Sequence, residues 1–513
     1  MDQSWDMTVD VLVAGSGYAG CMAAIAAHDA GSTALILEKM PRFGGLSILS
    51  AGGMAVSDNA EAAFQYLRRT DMGTTPDSVL RAFAQGMTEM PGILKDLESH
   101  TAPGLPPMRA ELNPESTIAY PFPGKEHIFS MKIKPNPDWD GFPWVHGLRA
   151  GARLYKLVQD NVEARSIPLW VNAPMRRLIS EDGAVIGAVV EQLDSEGKVL
   201  RSLRIRARGG VVLATGGYEF AEDLKLQYFW GQPVYGVSGP GNTGDGIKMA
   251  QKAGAALWHM WHMHGGYGFK FPDFPYAIRH RINGPRIATQ VMPWVLLDRK
   301  GQRFMNEYEK ANQDTGVRHL LAYDAETQSY PRIPCFMIFD ENGRESGPIG
   351  FPLYQEGQPA YTWSRDNLAE VERGWIKRGN TPAELAQQLG LPPAAVEASL
   401  ERWNDLCDGN RGDGDHGRLS TTMAPLRRPP FYALQCWPIV TNTQGGPAHD
   451  GEQYIVDPFD EPIAGLYAAG ENGSVFGHLY LEGGNLTECF VTGRIAGRNA
   501  AQAAARSAPT ATK

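Results

Sequence analysis

A glycine-rich turn near the start of the chain constrains its fold more than any other feature. The segment Asp10–Ala14, apolar after its first residue, leads into Gly-Ser-Gly-Tyr-Ala-Gly at residues 15–20, and an alanine-rich segment follows to Ala30. A strand, a Gly-x-Gly-x-x-Gly turn and a helix in this order are typical of a dinucleotide-binding fold, because the glycines allow a tight turn and a close approach of the pyrophosphate. The helix N-terminus faces the phosphates with its partial positive charge. We therefore predict an α/β fold with a nucleotide site at this turn.

An acidic residue closes the next predicted strand. Residues 34–37 are apolar, and Glu38 follows them at roughly the 20-residue distance at which an acid accepts hydrogen bonds from ribose hydroxyls. A carboxylate there would also repel a 2′-phosphate. The acid, the preceding strand and the following helix together distinguish this motif from an isolated glycine pattern.

Composition limits the possible partners. The 513 residues, 43% of them hydrophobic, can bury a large core in two or three domains. The net charge of −9 argues against nucleic acid as a partner. No segment reaches the roughly 18 apolar residues of a membrane span, and residues 1–6 lack the features of a signal peptide. We expect a cytoplasmic protein with a small-molecule substrate and an electron acceptor or donor that the sequence does not identify.

The cysteines and histidines do not predict a metal site. The five cysteines are scattered and form no Cys-x-x-Cys motif, which disfavours a structural zinc, an iron–sulfur cluster and a c-type haem. His259, His262 and His264 alternate with Trp and Met, but no carboxylate or cysteine stands beside them to complete a metal site. We predict no metal and expect His264, of the three, to contact the substrate.

Further glycine pairs favour FAD over NAD. They recur, alone or beside apolar strands, at residues 44–45, 52–53, 209–217, 465–471 and 483–486. The flat isoalloxazine of a flavin needs backbone without side chains beside it, whereas NAD has no use for the additional pairs. Each pair alone fits an ordinary strand–turn connection, but all of them in this order indicate FAD.

These segments resemble the flavoprotein-subunit family of fumarate reductase and succinate dehydrogenase. They are most similar to its soluble branch, which includes 3-ketosteroid dehydrogenases, urocanate reductase and tricarballylate dehydrogenase. Residues 242–250, 301–307 and 443–446 also match family segments, whereas the likeness is otherwise thin between about residues 269 and 430. The residues predicted to bind FAD are Gly15, Gly17, Tyr18, Ala19, Gly20, Glu38, Lys39, Gly44, Gly45, Ser47, Gly52, Gly53, Ala214, Thr215, Gly216, Gly217, Asp245, Gly470, Glu471, Asn485 and Leu486.

The resemblance also predicts how FAD is held. Family members with covalent FAD carry a histidine six residues before the second of the early glycine pairs, and this chain has Leu46 there. Leucine cannot form the bond, so we expect non-covalent FAD.

The predicted architecture is a Rossmann-like FAD-binding domain, residues 1–264 and 432–506, interrupted by an α+β capping domain, residues 265–431. Residues 507–513 are expected to be a disordered tail, and residues 408–415 a mobile surface loop. Local signals predict a hairpin turn at residues 181–183, a helix beginning after Thr381 and a final helix over residues 491–505.

Two missing arginines limit the substrate. In the dicarboxylate-reducing relatives, one arginine in an Asn-Arg-Leu-Gly-Gly-Asn stretch clamps a substrate carboxylate, and another, just beyond the Asn-Glu of the cap, donates a proton. Leu481 occupies the first position here, and residues 308–312 contain no arginine. The resemblance therefore disfavours fumarate and succinate.

Tyrosines replace these arginines as candidate catalytic groups. The ketosteroid dehydrogenases of the family carry a tyrosine four residues before a glycine, and the pair holds the ketone oxygen. Tyr480 and Gly484 have this spacing, and Tyr308 is a looser match to the cap tyrosine that accepts a proton. We predict Tyr480, Gly484, Tyr308 and His264 as catalytic residues, although each tyrosine could instead be a packing residue with a satisfied hydroxyl.

The favoured function is that of an FAD-dependent dehydrogenase or ene-reductase that acts on the C–C bond next to a carbonyl. Desaturation of a cyclic ketone of the ketosteroid or oxocyclohexane type is the preferred reaction, and the sequence leaves its direction open. An alternative is a reductase of an unsaturated carboxylate, with other cap arginines in place of the missing pair. A third is a flavoprotein that relays electrons without turning over a substrate. Arg279, Arg281 and Arg286 could bind an anionic group of the substrate, but solvated or paired surface arginines are the expectation.

Overall fold

A computed structural model describes residues 4–100, 110–113, 120–134, 139, 141–281, 291–308, 312–352, 354–357 and 360–507. The chain forms two compact units. Unit 1 comprises Met1–Leu224, Gly239–His262 and Asn442–Lys513, and unit 2 comprises Lys225–Ser238 and Met263–Thr441.

The strands are β1 Met7–Ala14, β2 Ala34–Leu37, β3 Gly53–Ser57, β4 Ala110–Asn113, β5 Ile128–Ile133, β6 Val145–Gly147, β7 Leu169–Trp170, β8 Met175–Glu181, β9 Ala184–Leu193, β10 Val199–Leu213, β11 Tyr235–Gly236, β12 Leu257–Trp258, β13 Met263–Phe269, β14 Ile278–His280, β15 Val295–Leu297, β16 Cys335–Phe339, β17 Gly350–Phe351, β18 Tyr354–Glu356, β19 Lys377–Gly379, β20 Phe431–Thr443, β21 Gly446–Pro447, β22 Tyr454–Val456 and β23 Pro462–Ala468. The helices are α1 Tyr18–Asp29, α2 Ala60–Asp71, α3 Asp77–Glu98, α4 Ala150–Ala164, α5 Glu222–Tyr228, α6 Asp245–Lys252, α7 Asn312–Thr315, α8 Glu341–Glu345, α9 Leu368–Glu372, α10 Pro382–Leu389, α11 Pro393–Gly409 and α12 Gly484–Ser507.

A largely parallel sheet forms the centre of unit 1. Its strand order is β22-β23-β10-β1-β2-β7, and the β8–β9 hairpin extends it from β10. The register aligns Ala14 with both Leu37 and Leu213, and Leu213 with Ala468. The carboxyl ends of β1, β2, β10 and β23 therefore meet at one edge. Ligands of open parallel sheets bind outside this edge, and the glycine-rich segments predicted for FAD follow these strands directly.

A mixed sheet forms the centre of unit 2. Its order is β15-β16-β20-β13-β14-β17, and both β11 and β19 pair with β20. Its core is rich in aromatic side chains, among which Phe271 and Trp375 stack with ring centroids 3.9 Å apart. Every residue of β13 is buried, as expected of a central strand.

The unit boundaries differ from the predicted domain boundaries. Residues 225–238 belong to unit 2, because β11 pairs in parallel with β20. The long strand β20 continues past residue 432, so that residues 432–441 also belong to unit 2. Neither pairing has a local signal in the sequence.

Local predictions have mixed outcomes. The hairpin at residues 181–183 is confirmed by the antiparallel pair β8–β9. The helix after Thr381 is confirmed by α10, whose Thr381 side chain accepts a hydrogen bond from the Glu384 N–H. The final helix is longer than predicted, since it begins at Gly484 rather than at residue 491. The predicted tail lies, apart from Ser507, outside the described residues. Nowhere in the described ranges does a helix have the length and apolar character to cross a membrane.

Candidate active site

The predicted glycine turn connects β1 to α1 at the edge of the unit 1 sheet. Gly15 has φ +103°, and a Cβ there would lie 2.1 Å from the Ala214 carbonyl oxygen. A Cβ on Gly20 would lie 1.9 Å from the Gly15 carbonyl oxygen. These two positions therefore require glycine for the packing of the turn as well as for any ligand. The N-cap residue of α1, Gly17, provides no side-chain cap, and the Tyr18 N–H donates to Ser47 Oγ at 3.1 Å.

Glu38 organises this turn. Its carboxylate accepts hydrogen bonds from Ser16 Oγ at 2.6 Å, from the Ser16 N–H at 3.2 Å and from the Met40 N–H at 2.9 Å. Ser16 Oγ in turn accepts from the Gly44 N–H at 2.9 Å. Burial raises the pKa of Glu38, and the hydrogen bonds from Ser16 and Met40 oppose this shift. Two carboxylate oxygens offer about four acceptor positions, so the carboxylate retains capacity for a ribose hydroxyl.

Lys39 and Asp245, both predicted to bind FAD, pair with each other. Lys39 Nζ lies 2.7 Å from Asp245 Oδ2 and 2.5 Å from Thr243 Oγ1. The ion pair joins the end of β2 to the first turn of α6. Since both side chains are partly exposed, the pair explains their positions without a cofactor contact.

A buried carboxylate pair stands beyond β10 and β23. The Thr443 N–H donates to Glu219 Oε1 at 2.8 Å and to Glu471 Oε1 at 2.9 Å. Burial and the negative charge of Glu219 raise the pKa of Glu471 well above its usual range. Like charges this close disfavour double ionisation, which acts on Glu471 in the same direction as burial. Glu471 was predicted as a site residue, whereas Glu219, which follows the 216–217 glycine pair by two residues, was missed.

Several buried polar atoms of unit 1 have no hydrogen-bond partner. Among them are Thr215 Oγ1, Glu219 Oε2, Gln444 Nε2, Asn472 Oδ1 and Asn485 Oδ1. Buried polar groups are almost always satisfied in native proteins. Thr215 and Asn485 are predicted FAD-binding residues, and Glu219 and Asn472 lie within two residues of predicted ones. Gln444 lies in the segment 443–446, which matches the family but was not predicted to bind FAD. A cofactor with donors and acceptors along its length fits this set.

The start of α12 brings Tyr480 and Gly484 into one turn. The Gly483 N–H donates to the Tyr480 hydroxyl oxygen at 3.1 Å, and the Gly484 N–H donates to the Leu481 carbonyl oxygen at 2.7 Å. The Tyr480 ring meets Phe476 edge-on at 5.3 Å. Burial raises the pKa of Tyr480. The side chain is therefore a neutral phenol at neutral pH, which suits a hydrogen-bond donor better than a base.

The predicted glycine pair stands at the start of a strand joined to α12: Gly53 opens β3 and Gly52 precedes it. The Ala55 N–H of β3 donates to the Gly483 carbonyl oxygen at 3.2 Å, and Thr487 Oγ1 donates to the Ala55 carbonyl oxygen at 2.6 Å. The structure therefore brings the early glycine pair next to the Tyr480–Gly484 turn. The sequence predicted both segments but not their contact.

Tyr308 lies in unit 2 beside a buried ion network. The carboxylate of Glu307 is fully buried and lies 2.9 Å from Arg303 Nη2 and 3.2 Å from Arg418 Nη1. Arg303 also pairs with Asp413 at 2.9 Å, so the prediction of a mobile surface loop at residues 408–415 is wrong for Asp413, whose carboxylate is buried. Burial raises the pKa of Tyr308, and the positive charge of Arg418 opposes the shift.

The three histidines do not act as a group. His259 Nδ1 pairs with the Ser474 carbonyl oxygen at 2.8 Å, and His262 Nδ1 with the Phe476 carbonyl oxygen at 2.6 Å. Both thus hold the segment before Tyr480 within unit 1. His264 is buried in β13 of unit 2. In the described part of the chain, no group of His, Cys, Asp or Glu side chains is arranged to hold a metal ion.

Arg279 contradicts the expectation of a surface arginine. Its side chain is buried in unit 2, with 3% of its surface exposed, because β14 lies between β13 and β17. Arg281 is partly exposed and donates to the Ser346 carbonyl oxygen at 2.9 Å. Arg286 lies outside the described residues.

Comparison with known proteins agrees with the resemblance predicted from the sequence. The family described as FAD binding domain matches residues 10–486. The 3-oxosteroid 1-dehydrogenase of Mycolicibacterium smegmatis is 26% identical over 97% of this chain and 98% of its own length. The 4-oxocyclohexanecarboxylate 2-dehydrogenase of Sinomonas cyclohexanicum is 28% identical over 97% of this chain and 94% of its own length. The 3-ketosteroid delta1-dehydrogenase of Sterolibacterium denitrificans has a similar fold, with a TM-score of 0.78 at 23% identity, covering 96% of this chain and 99% of that one.

Proposed function

The chain belongs to the FAD binding domain family and is an FAD-dependent oxidoreductase; from this premise we propose that it desaturates the C–C bond next to the carbonyl of a cyclic ketone. The observation that carries the proposal is the turn at the start of α12. It presents a neutral phenol, Tyr480, and the Gly484 N–H together, with buried Leu481 where dicarboxylate-reducing relatives have arginine. Relatives named for cyclic ketones support the same substrate class.

The Tyr480–Gly484 turn would hold the ketone oxygen. The hydrogen bond from Gly483 uses a lone pair of the Tyr480 hydroxyl and not its proton. The Gly484 N–H would be shared between the Leu481 carbonyl and the substrate, because its present bond is intramolecular. Both donors would stabilise the negative charge that develops on the oxygen as the α-proton leaves, which is often the largest single contribution to such a reaction.

Tyr308 is the proposed base of unit 2. Its phenolate would take the proton from the carbon next to the carbonyl, and Arg418 would favour that charged form. Bound FAD would supply the acceptor for the hydride from the neighbouring carbon. His264 stays a candidate for a substrate contact.

Anaerobic stopped-flow absorbance of the holoenzyme tests this function. Mixing with 4-oxocyclohexanecarboxylate or with a 3-ketosteroid should bleach the flavin, whereas fumarate should leave its spectrum unchanged. Bleaching only by an external reductant would favour the electron-relay alternative, and oxidation of the reduced enzyme by an unsaturated carboxylate alone would favour the reductase.

Tyr480→Phe tests whether the Tyr480 hydroxyl donates a hydrogen bond to the ketone oxygen. The substitution keeps the ring against Phe476 and removes the hydroxyl, so bleaching by the ketone should slow by about 10²–10³-fold, as for the loss of one oxyanion donor. Tyr454→Phe, a tyrosine of β22 on the outer strand of the same unit, is the matched control and should keep the parental rate. A Tyr480→Phe rate within a few-fold of the parent would remove Tyr480 from the mechanism.

A further inference from the structure

A short segment of unit 1, the connector (residues 474–479), leads into the Tyr480–Gly484 turn. Each main-chain N–H and C=O group of Ser474, Val475 and Phe476 is hydrogen-bonded, and all but the Ser474 N–H bond to side chains. These side chains are Glu488, Ser474, His259, Thr75 and His262. Buried main-chain groups outside helices and sheets need such partners, so these side chains determine where the connector lies.

His262 holds the last of these main-chain groups. Its Nδ1 lies 2.6 Å from the Phe476 carbonyl oxygen. Because a carbonyl oxygen can only accept a hydrogen bond, Nδ1 carries the proton and donates it. The imidazole is buried and stacks on Trp261, with 5.2 Å between the ring centroids. This packing keeps the ring in the orientation that the bond to Phe476 requires.

The Phe476 ring touches both residues of the proposed donor pair. It meets the Tyr480 ring edge-on, with 5.3 Å between the centroids. A Cβ on Gly484 would lie 2.3 Å from Phe476 Cζ, so the ring packs directly against the main chain there. Phe83 of α3 packs edge-on against the same ring, with 5.6 Å between the centroids. A displacement of the Phe476 ring would therefore disturb Tyr480 and Gly484 together.

We propose that Phe476 sets the separation between the Tyr480 hydroxyl and the Gly484 N–H, and that His262 acts through Phe476 as a positioning residue for both donors. Two donors that hold one oxygen need a fixed separation, since a misplacement of about 1 Å can cost about 100-fold in rate. The task of the two donors rests on the proposed function. Their positioning rests on the contacts of His262 and Phe476 alone.

Hydrogen–deuterium exchange of the FAD-bound enzyme tests the positioning without any substrate. His262→Leu removes the Nδ1–H and leaves the Phe476 carbonyl without its donor, whereas His262→Asn keeps an N–H donor close to the place of Nδ1. Amides of residues 474–486 should exchange about 10- to 100-fold faster in His262→Leu, and His262→Asn should restore most of the protection. Asn161→Leu, which removes a buried side-chain donor to the Leu97 carbonyl oxygen, is the matched control and should leave this exchange unchanged.

Flavin bleaching by a cyclic ketone separates positioning from a general loss of stability. The limiting rate should fall by about 10- to 100-fold in His262→Leu and in Phe476→Leu, with the Kd for FAD unchanged, and His262→Asn should return to within a few-fold of the parent. Because His262 acts through Phe476, the double variant should be only a few-fold slower than Phe476→Leu alone. Asn161→Leu should lower the melting temperature and keep the parental rate. Phe476→Leu carries the test if His262→Leu does not fold.

Three results would overturn the positioning role: unchanged exchange of residues 474–486 in both His262→Leu and Phe476→Leu, equal loss of protection in His262→Asn and His262→Leu, or rate losses that multiply in the double variant. If no ketone bleaches the flavin while the exchange still depends on the His262 donor, the desaturation is refuted and the positioning of the Tyr480–Gly484 turn stands.

Discussion

Leu46 and Leu481 each replace a polar residue that relatives of the family use. Leu46 stands at the position of the flavin-attachment histidine, and Leu481 at that of the carboxylate-binding arginine. Leu481 is almost fully buried. We therefore expect single residues to decide both how the cofactor is held and which substrate class is excluded.

Acid precipitation of the holoenzyme should release all of the FAD into the supernatant, because leucine at position 46 cannot form the covalent bond. Absorbance of the supernatant and of the washed pellet measures the partition. A pellet that stays yellow after washing would show a covalent linkage elsewhere in the chain.

Glu38→Ala should weaken FAD binding by about 1.5–3 kcal/mol, the usual contribution of a hydrogen bond to a charged group. Ser16→Ala is the control, since it removes the Ser16 hydroxyl contacts to Glu38 and Gly44 but leaves the carboxylate. Fluorescence titration of the apoenzyme with FAD gives both dissociation constants. Equal losses in the two variants would mean that Glu38 organises the turn without binding ribose.

The first turns of α12 combine a functional turn with an unusual buried acid. Glu488 accepts hydrogen bonds from the Val475 N–H at 2.6 Å and from Ser474 Oγ at 2.9 Å. Burial nevertheless raises its pKa to about 8. The Glu488 carboxyl, one turn of α12 beyond Gly484, is therefore mostly protonated at neutral pH.

The stability of the holoenzyme should fall as pH rises through this range. The folded chain holds the Glu488 proton more tightly than the unfolded chain, in which the pKa is near 4.5. The contribution is thus complete below about pH 4.5 and is lost as pH rises through about 8. Glu488→Gln, which is always neutral, should gain in melting temperature over the parent between pH 5 and about pH 9, whereas exposed Glu452→Gln should not. A constant difference across this range would refute the shift.

Sequence patterns predicted the elements whose signals are local. The glycine turn at Gly15, the hairpin at residues 181–183 and the cap at Thr381 each depend on a few consecutive residues. Glu219 and Arg279 were missed or misplaced because their environments come from distant segments. Glu219 meets Glu471 only where β10 and β23 end side by side, and Arg279 is buried only because β14 lies between β13 and β17.

The chain as a whole divides a cofactor unit from a unit that carries the remaining candidate groups. Unit 1 holds the parallel sheet, the segments predicted to bind FAD and the Tyr480–Gly484 turn. Unit 2 holds Tyr308, His264 and Arg279. Because the proposed base, Tyr308, belongs to unit 2, the pH dependence of the proposed reaction tests that residue.

The rate of flavin bleaching by a cyclic ketone should rise with pH. Because burial raises the pKa of Tyr308, little phenolate is present at pH 7, and the rate should grow by about tenfold per pH unit below that pKa. Tyr308→Phe should be slow and lose this slope. A pH-independent rate in the parent would assign the base to another group.

Product identity tests ketone desaturation most directly. The holoenzyme is incubated with 4-oxocyclohexanecarboxylate and an artificial electron acceptor, and the products are separated and examined by mass spectrometry and NMR. Desaturation predicts a ketone that has lost two hydrogen atoms, with a new double bond next to the carbonyl. Unchanged 4-oxocyclohexanecarboxylate and 3-ketosteroid, together with reduction of an unsaturated carboxylate by the dithionite-reduced enzyme, would contradict it.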